Sequence, residues 1–270
     1  MPELPEVETT RRGLAPHLLG HAVRRVTVRC ASLRQPIPAS LPAVLTGQTL
    51  QQLERRAKYL LFGFEQGVLL AHLGMSGSLQ LVAPDSAPGK HDHVDMDFGH
   101  LTLRYRDPRR FGMLMWLDDG ADAGPLRHLG IEPLDERFDG AWLHQATRGR
   151  STPIKTWLMD NHHVVGIGNI YASESLFRAR IHPLTPAGHL GPQRCARLAT
   201  AIRETLEAAI AAGGSTLRDF VGGDGRPGYF QQQYFVYGRT GEPCRICQRP
   251  VQRIVQGQRA SFLCAHCQRR

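Results

Sequence analysis

Cys244-Arg245-Ile246-Cys247 and, sixteen residues further on, Cys264-Ala265-His266-Cys267 decide how the end of this chain folds. Two Cys-x-x-Cys turns at that separation bring four thiolates onto one tetrahedral Zn2+, each turn supplying two ligands. Four thiolates leave no open coordination position, so the expected cofactor is one structural zinc ion, held by Cys244, Cys247, Cys264 and Cys267. Between the two turns, residues 251–255 and 260–263 alternate like strands, which predicts a zinc-ribbon hairpin. Residues 240–270 carry six arginines and one glutamate, so they supply +5 of the chain's net +9. With Arg253 and Arg259 near its turn, such a hairpin reads as a contact to a DNA backbone or minor groove; the alternative is a solvated surface.

Working outward, 270 residues exceed one compact core, and about 150 residues per domain implies roughly two domains or a small appended module. A hydrophobic fraction of 41% with 21% charged residues excludes disorder over most of the chain. Thirty-three basic against 24 acidic residues point to a polyanionic partner, nucleic acid first. No apolar run approaches the ~18 residues that span a bilayer. Glu3, Glu6 and Glu8 stand where a signal peptide would be basic, so no membrane association and a cytoplasmic location are expected. In a reducing compartment the cysteine knuckles are better explained by metal than by disulfides, and Cys30 and Cys195 read as small buried hydrophobes.

At the other end, Pro5 and the following acidic residues predict a helix to about Leu19, with Leu4, Val7, Leu14 and Leu18 on one face. Short β-rich runs follow at 23–28, 60–64, 68–73, 79–82, 94–98, 101–105 and 113–117, punctuated by Gly, Pro and Asp at sandwich-like spacing. The acidic, turn-rich stretch from Asp118 opens a connecting region. Beyond Trp142 the period is helical, at 154–159, 170–179 and 190–212, ending at Gly213-Gly214. Six glycines within 213–230, bracketed by Phe220 and Tyr229-Phe230, read as a flap. The expected domains are 1–117 (helix and β-sandwich), 118–141 (hinge), 142–239 (helical, with the flap) and 240–270 (zinc hairpin).

Pro2 is the second chemical signal. Removal of Met1 exposes a secondary amine, which condenses with an aldehyde-level carbon to an iminium that has no N–H to lose, a cationic electron sink suited to elimination. The helix N-terminus favours the neutral amine, whereas Glu3 and Glu6 oppose it.

Pro2-Glu3-Leu4-Pro5-Glu6-Val7-Glu8-Thr9, Arg56-Ala57-Lys58-Tyr59, Leu73-Gly74-Met75-Ser76-Gly77, Asp107-Pro108-Arg109-Arg110-Phe111-Gly112, Gly166-Ile167-Gly168-Asn169-Ile170-Tyr171-Ala172-Ser173-Glu174 and the zinc knuckles together resemble bacterial formamidopyrimidine-DNA glycosylase. The resemblance runs from end to end. It implies an α+β multidomain fold: an N-terminal helix with a β-sandwich, a helix-two-turn-helix domain and a zinc finger. It also implies excision of 8-oxoguanine and ring-opened purines from double-stranded damaged DNA, followed by cleavage at the abasic site, by a chain acting as a monomer. By matching position, Pro2 would attack the sugar C1′, Glu3 would be the acid that helps open the sugar, and Glu6 would assist proton transfer. Lys58 would contact DNA at the lesion, and Arg259 joins this catalytic group. Met75, Arg109 and Phe111 would fill the gap left by the flipped nucleotide, although Met75 and Phe111 also suit strand-end core positions. His91 and Lys155 would contact the DNA backbone. Asn169 can cap the helix it opens while neighbouring N–H groups face a phosphate.

Three rival readings remain at this stage. Endonuclease VIII, a relative that prefers oxidised pyrimidines, is disfavoured by the opening Glu-Leu-Pro-Glu-Val-Glu-Thr and by the Asp-Pro-Arg-Arg-Phe block. A non-catalytic zinc-ribbon DNA-binding protein leaves Pro2, Glu3 and Lys58 unexplained. A metal-dependent nuclease using His91 to Asp95 lacks a well-spaced third ligand.

Overall fold

The structure is a computed structural model and describes residues 2–118, 124–214 and 230–270. The chain divides into two compact units, 1–127 with 212–229 and 128–211 with 230–270. The expected flap lies, from 215 to 229, outside the described residues.

Unit one opens with helix α1, Leu4–Leu18, entered through extended Glu3. Leu4, Val7, Leu14 and Leu18 are fully buried, as their shared face requires. Each such side chain contributes about 1.5–3 kcal/mol of burial. Eight strands follow: β1 Arg25–Val28, β2 Gln52–Arg56, β3 Tyr59–Phe64, β4 Gly67–His72, β5 Ser78–Val82, β6 Asp92–Asp97, β7 Thr102–Arg106 and β8 Met113–Leu117, with the short helix α2, Leu41–Leu45, before β2. They form two four-stranded antiparallel sheets, β1-β6-β7-β5 and β2-β3-β4-β8. One apolar cluster joins them: Val26, Leu79, Val94 and Leu103 from the first sheet, Leu60, Phe62, Leu69 and Leu114 from the second, and Val7, Leu14 and Leu18 from α1. The sandwich anticipated from the strand spacing is therefore present, with the helix sharing its core.

Unit two contains α3 Gly140–Thr147, α4 Ile154–Leu158, α5 Asn169–Arg178 and α6 Pro192–Ala211, then the antiparallel hairpin β9 Gln252–Gln256 and β10 Arg259–Leu263. Asp139 caps α3 by accepting from the Trp142 amide at 2.7 Å. The hairpin turns through Gly257 (φ 53°) and Gln258 (φ 63°), the paired left-handed residues that a tight two-residue turn needs. Phe177, Val236, Val251, Cys244 and Cys264 share a small core, so the hairpin packs on α5 as part of this unit. No described helix is long and apolar enough to cross a membrane.

Two expectations need correction. Cys30 is half-buried rather than buried, its thiol donating to the Ser32 carbonyl at 2.9 Å, while Cys195 is buried as expected. Asn169 does not cap α5: Gly168 holds the cap position, and the Asn169 side chain is drawn away by the partners described below.

Candidate active site and nucleic-acid interface

Pro2 is buried at the head of α1, directly before two carboxylates that are 2% (Glu3) and 0% (Glu6) exposed. Glu6 accepts the Glu3 amide at 2.8 Å, the return bond of a capping box, which fixes both carboxyl groups about the helix N-terminus. Gly214 packs against Glu6: a Cβ there would sit 3.3 Å from the Glu6 carboxylate, and its φ of +80° already favours glycine. The glycine pair taken as a helix stop therefore also leaves room over Glu6.

Lys58 follows Ala57, which holds a left-handed φ of 55° in the β2–β3 turn. It is 7% exposed, which excludes a merely solvated strand-end lysine. Arg55 supports this turn, donating to the Ala57 carbonyl at 2.9 Å and to Glu8 of α1 at 3.3 Å. Sequence reasoning missed His72, at the end of β4. Its ring lies tilted against Tyr59, 4.9 Å between centroids, and accepts the Gly74 amide at 2.9 Å. Burial first, then the charges of Lys58 and Arg34, push its pKa down to about 4. The sign follows from linkage: the folded pKa lies below the unfolded value near 6.5, so the native state resists the proton and stability falls as pH drops from about 6.5 towards 4. NMR titration should show His72 neutral at pH 6, and Lys58→Met should raise its pKa without restoring 6.5, because burial remains. Protonation near pH 6.5 in the parent would contradict this environment.

Met75 (43% exposed) and Phe111 (44%) project from two separate turns, so neither is a core residue. Arg109 lies over the Phe111 ring at 4.7 Å. The two turns are locked together by Asp107, which is fully buried. Its carboxylate accepts from Ser76 Oγ at 2.6 Å, the Arg109 amide at 3.3 Å and the Gly112 amide at 2.8 Å. Gly74, at φ 61°, backs onto Phe111 so closely that any Cβ would collide with the Phe111 backbone. An Asp before Pro is a turn signal, but its bond to Ser76, 31 residues away, has no local signature.

His91 is half-buried, and its carbonyl accepts the Asp107 amide at 3.0 Å, which sets it beside the same turn. The neighbouring acids serve ion pairs: Asp95 binds Arg104 and Arg29, and Asp92 binds Arg106. Among the described residues, the four-cysteine cluster is the only group of His, Cys, Asp or Glu gathered tightly enough for a metal.

In unit two, Lys155 is 2% exposed and its ammonium donates to Asn169 Oδ1 at 2.6 Å, Ser261 Oγ at 2.6 Å and the Ala260 carbonyl at 3.1 Å. Asn169 in turn donates to Ala260 at 2.9 Å. Lys155 thus ties α4, α5 and β10 together, and a cavity of about 300 Å³ beside it also carries exposed Arg259. Glu174, the last residue of the 166–174 block, holds the 235–237 segment by accepting three backbone amides at 2.8–3.0 Å.

The four Sγ atoms of Cys244, Cys247, Cys264 and Cys267 lie within 4.8 Å of one another, with Cys247–Cys264 at 3.4 Å and Cys244–Cys267 at 4.0 Å. Tetrahedral thiolates at about 2.3 Å from zinc stand close to 3.8 Å apart, so the donor set fits one structural zinc. The Arg249 amide is the principal cause lowering the Cys247 thiol's pKa, whereas burial first raises those of Cys264 and Cys267.

A proline-headed helix on a sandwich, a helical unit and a four-thiolate ribbon are the architecture expected of a DNA-repair glycosylase. Known families agree. "Formamidopyrimidine-DNA glycosylase N-terminal domain" matches residues 1–114, "Formamidopyrimidine-DNA glycosylase H2TH domain" 129–221, and "Zinc finger found in FPG and IleRS" 241–270. The chain is 62% identical to the formamidopyrimidine-DNA glycosylase of Aromatoleum aromaticum, covering 100% of both chains. It is also similar to the crystal structure of the Thermus thermophilus protein (TM-score 0.88, 41% identity, 99% of this chain and 98% of that one). A wild-type Lactococcus lactis complex with N7-benzyl-Fapy-dG DNA gives a TM-score of 0.90 at 35% identity over 100% of both chains. The chain belongs to the formamidopyrimidine-DNA glycosylase family, whose members are DNA-repair enzymes that combine glycosylase and abasic-site lyase activity.

Proposed function

We propose that this chain, acting as a monomer in the bacterial cytoplasm on nucleoid DNA, excises oxidised purines such as 8-oxoguanine and formamidopyrimidines through Pro2 and then cuts the strand by β,δ-elimination. The observation that carries the reading is Pro2 placed directly before the buried Glu3 and Glu6 at a helix N-terminus. Its ring nitrogen forms a bond to C1′ while the C1′–base bond breaks. Glu3 protonates the ring oxygen as the sugar opens, and Glu6 moves protons during elimination. The resulting iminium draws electrons from the C2′–H bond and expels the 3′-phosphate; a second proton loss expels the 5′-phosphate. Lys58 engages DNA at the lesion, and Arg259 offers a cation to the departing phosphate. Met75, Arg109 and Phe111 fill the space of the extruded nucleotide, and His91, Asn169 and Lys155 serve the backbone. Burial of Lys155 favours a role in which it orients Asn169 and β10 and lends them its charge. The zinc, held by the four cysteines, fixes the hairpin that presents Arg259. The proposed division of labour is 1–117 for chemistry, 118–141 as a hinge, 142–239 for duplex binding with its flap, and 240–270 for the hairpin.

Glu3→Gln tests the assignment. Excision of 8-oxoguanine in single turnover should fall by roughly 10²–10⁴-fold, the range for a lost general acid, while cleavage of a preformed abasic site survives because its aldehyde is already available to Pro2. Equal loss of both reactions, with fold and binding intact, would remove the separate acid role. Phe111→Ala should instead weaken engagement of the lesion duplex by about 1–3 kcal/mol, the usual worth of one aromatic–base stack. Unchanged affinity in Phe111→Ala would exclude the wedge.

A further inference from the structure

A second cavity, of about 590 Å³, opens beside the zinc knuckles and is walled by Arg180, Arg194, Arg197, Arg269 and Arg270 together with Ile246. It shares no residue with the cavity of Lys155 and Arg259.

The placement of this charge is unfavourable to the protein alone. No carboxylate side chain lines the cavity, and among the described residues none of the five guanidiniums forms an ion pair. Arg194 and Arg197 occupy the first two turns of α6, where the helix dipole repels cations, and no acidic residue stands in its first turn. Burial first, then the charge of Arg197, push the Arg194 guanidinium's pKa down. The backbone nevertheless fixes these positions. Arg180 holds a left-handed φ of 58°. Its carbonyl accepts the Arg269 amide at 3.4 Å, and the Arg269 carbonyl accepts from the His182 amide and the Arg194 side chain, each at 3.0 Å. Buried Gln268 clamps the same strand by accepting the Cys264 amide and donating to the Ile181 carbonyl, each at 2.8 Å. Strain and repulsion held in place by the surrounding structure are the pattern of a preorganised binding site.

Two features choose the ligand class. Five arginines line one concavity that no carboxylate side chain shares, which calls for an anionic ligand. Ile246 is 57% exposed on the wall, and a phosphodiester has nothing apolar to set against it. A peptide with carboxylates flanking an aliphatic or aromatic side chain satisfies both the guanidiniums and Ile246.

We propose that this cavity docks an acidic, apolar-tipped peptide segment of a partner protein, at a site separate from the DNA-binding surface. The probe is a fluorescein-labelled peptide, Asp-Asp-Glu-Asp-Leu-Phe, followed by fluorescence anisotropy with the full-length, zinc-loaded protein. Saturable binding is expected, weakened roughly tenfold or more by Arg194→Glu with Arg197→Glu and severalfold by Ile246→Ser. Arg148→Glu with Arg150→Glu, an equal charge change outside the cavity, should leave it unaltered. A saturating lesion duplex should not displace the peptide, and the cavity variants should excise 8-oxoguanine at the parental rate. Zinc content and circular dichroism check the fold, with the Arg194→Gln and Arg197→Gln pair used if charge reversal disrupts it. Absence of saturable binding, equal weakening by the control pair, or displacement by duplex would each overturn the proposal. The first removes the site, the second reduces it to bulk charge, and the third assigns the cavity to nucleic acid.

Discussion

Blocking the Pro2 amine, by a retained Met1 or by a residue fused ahead of it, lowers both base excision and abasic-site cleavage by at least about 10³-fold while leaving affinity for lesion duplex nearly unchanged. The size follows from the chemistry: an acylated nitrogen has no lone pair to attack C1′, and no iminium forms to drive either elimination. The selectivity follows from geometry. The groups proposed to grip DNA, from Met75 and Phe111 to Asn169 and Arg259, belong to other elements and do not depend on the free amine. Pro2 stands at the N-terminal end of α1, directly before Glu3 and close in sequence to Glu6. Mass spectrometry of each preparation, paired with single-turnover assays on 8-oxoguanine and abasic duplexes, checks the result. Full excision by protein with a proven N-terminal methionine would exclude the Schiff base.

Loss of zinc carries the second large effect. Cys244→Ser or Cys267→Ser should release the metal, measured with a colorimetric chelator, and unfold the hairpin, because structural zinc supplies on the order of 10–16 kcal/mol of binding energy that the isolated ribbon cannot replace. The damage should reach α4 and α5 as well. Cys244 and Cys264 share a core with Phe177, and the Lys155 ammonium depends on Ala260 and Ser261 of β10. Duplex affinity at fixed salt should therefore fall by roughly 10²-fold or more, while the sandwich of unit one keeps its fold. A substituted protein that binds damaged duplex as tightly as the parent would show that the hairpin is not a DNA-binding element.

Much of this was legible because the relevant signals are local. The knuckle spacing anticipated the thiolate cluster, apolar periodicity anticipated α1, and short β-rich runs between turn residues anticipated seven of the eight described sandwich strands, each within a few residues. The missed strand, β2, reads Gln-Leu-Glu-Arg-Arg and buries only Leu53; it lies at a sheet edge, where polar side chains protect the open rim and erase the apolar pattern. Helix α2 is only five residues long, too short for a helical period to declare itself. The site was legible where chemistry rests on consecutive residues, as in Pro2 and Glu3. It was opaque where contacts cross long loops: Asp107 with Ser76, His72 beside Lys58, and Lys155 with β10, 105 residues away. Asn169 was misassigned for that reason. A local rule made it a cap, and a long-range amine and carbonyl claimed its side chain instead.

Borohydride trapping tests the central claim most directly. Incubation with 8-oxoguanine duplex in the presence of sodium borohydride should reduce the iminium to a stable amine and yield one covalent protein–DNA adduct, which proteolysis and tandem mass spectrometry would place on the nitrogen of Pro2 in the N-terminal peptide. An adduct on a lysine such as Lys58, or strand cleavage with no trappable adduct, would contradict the account.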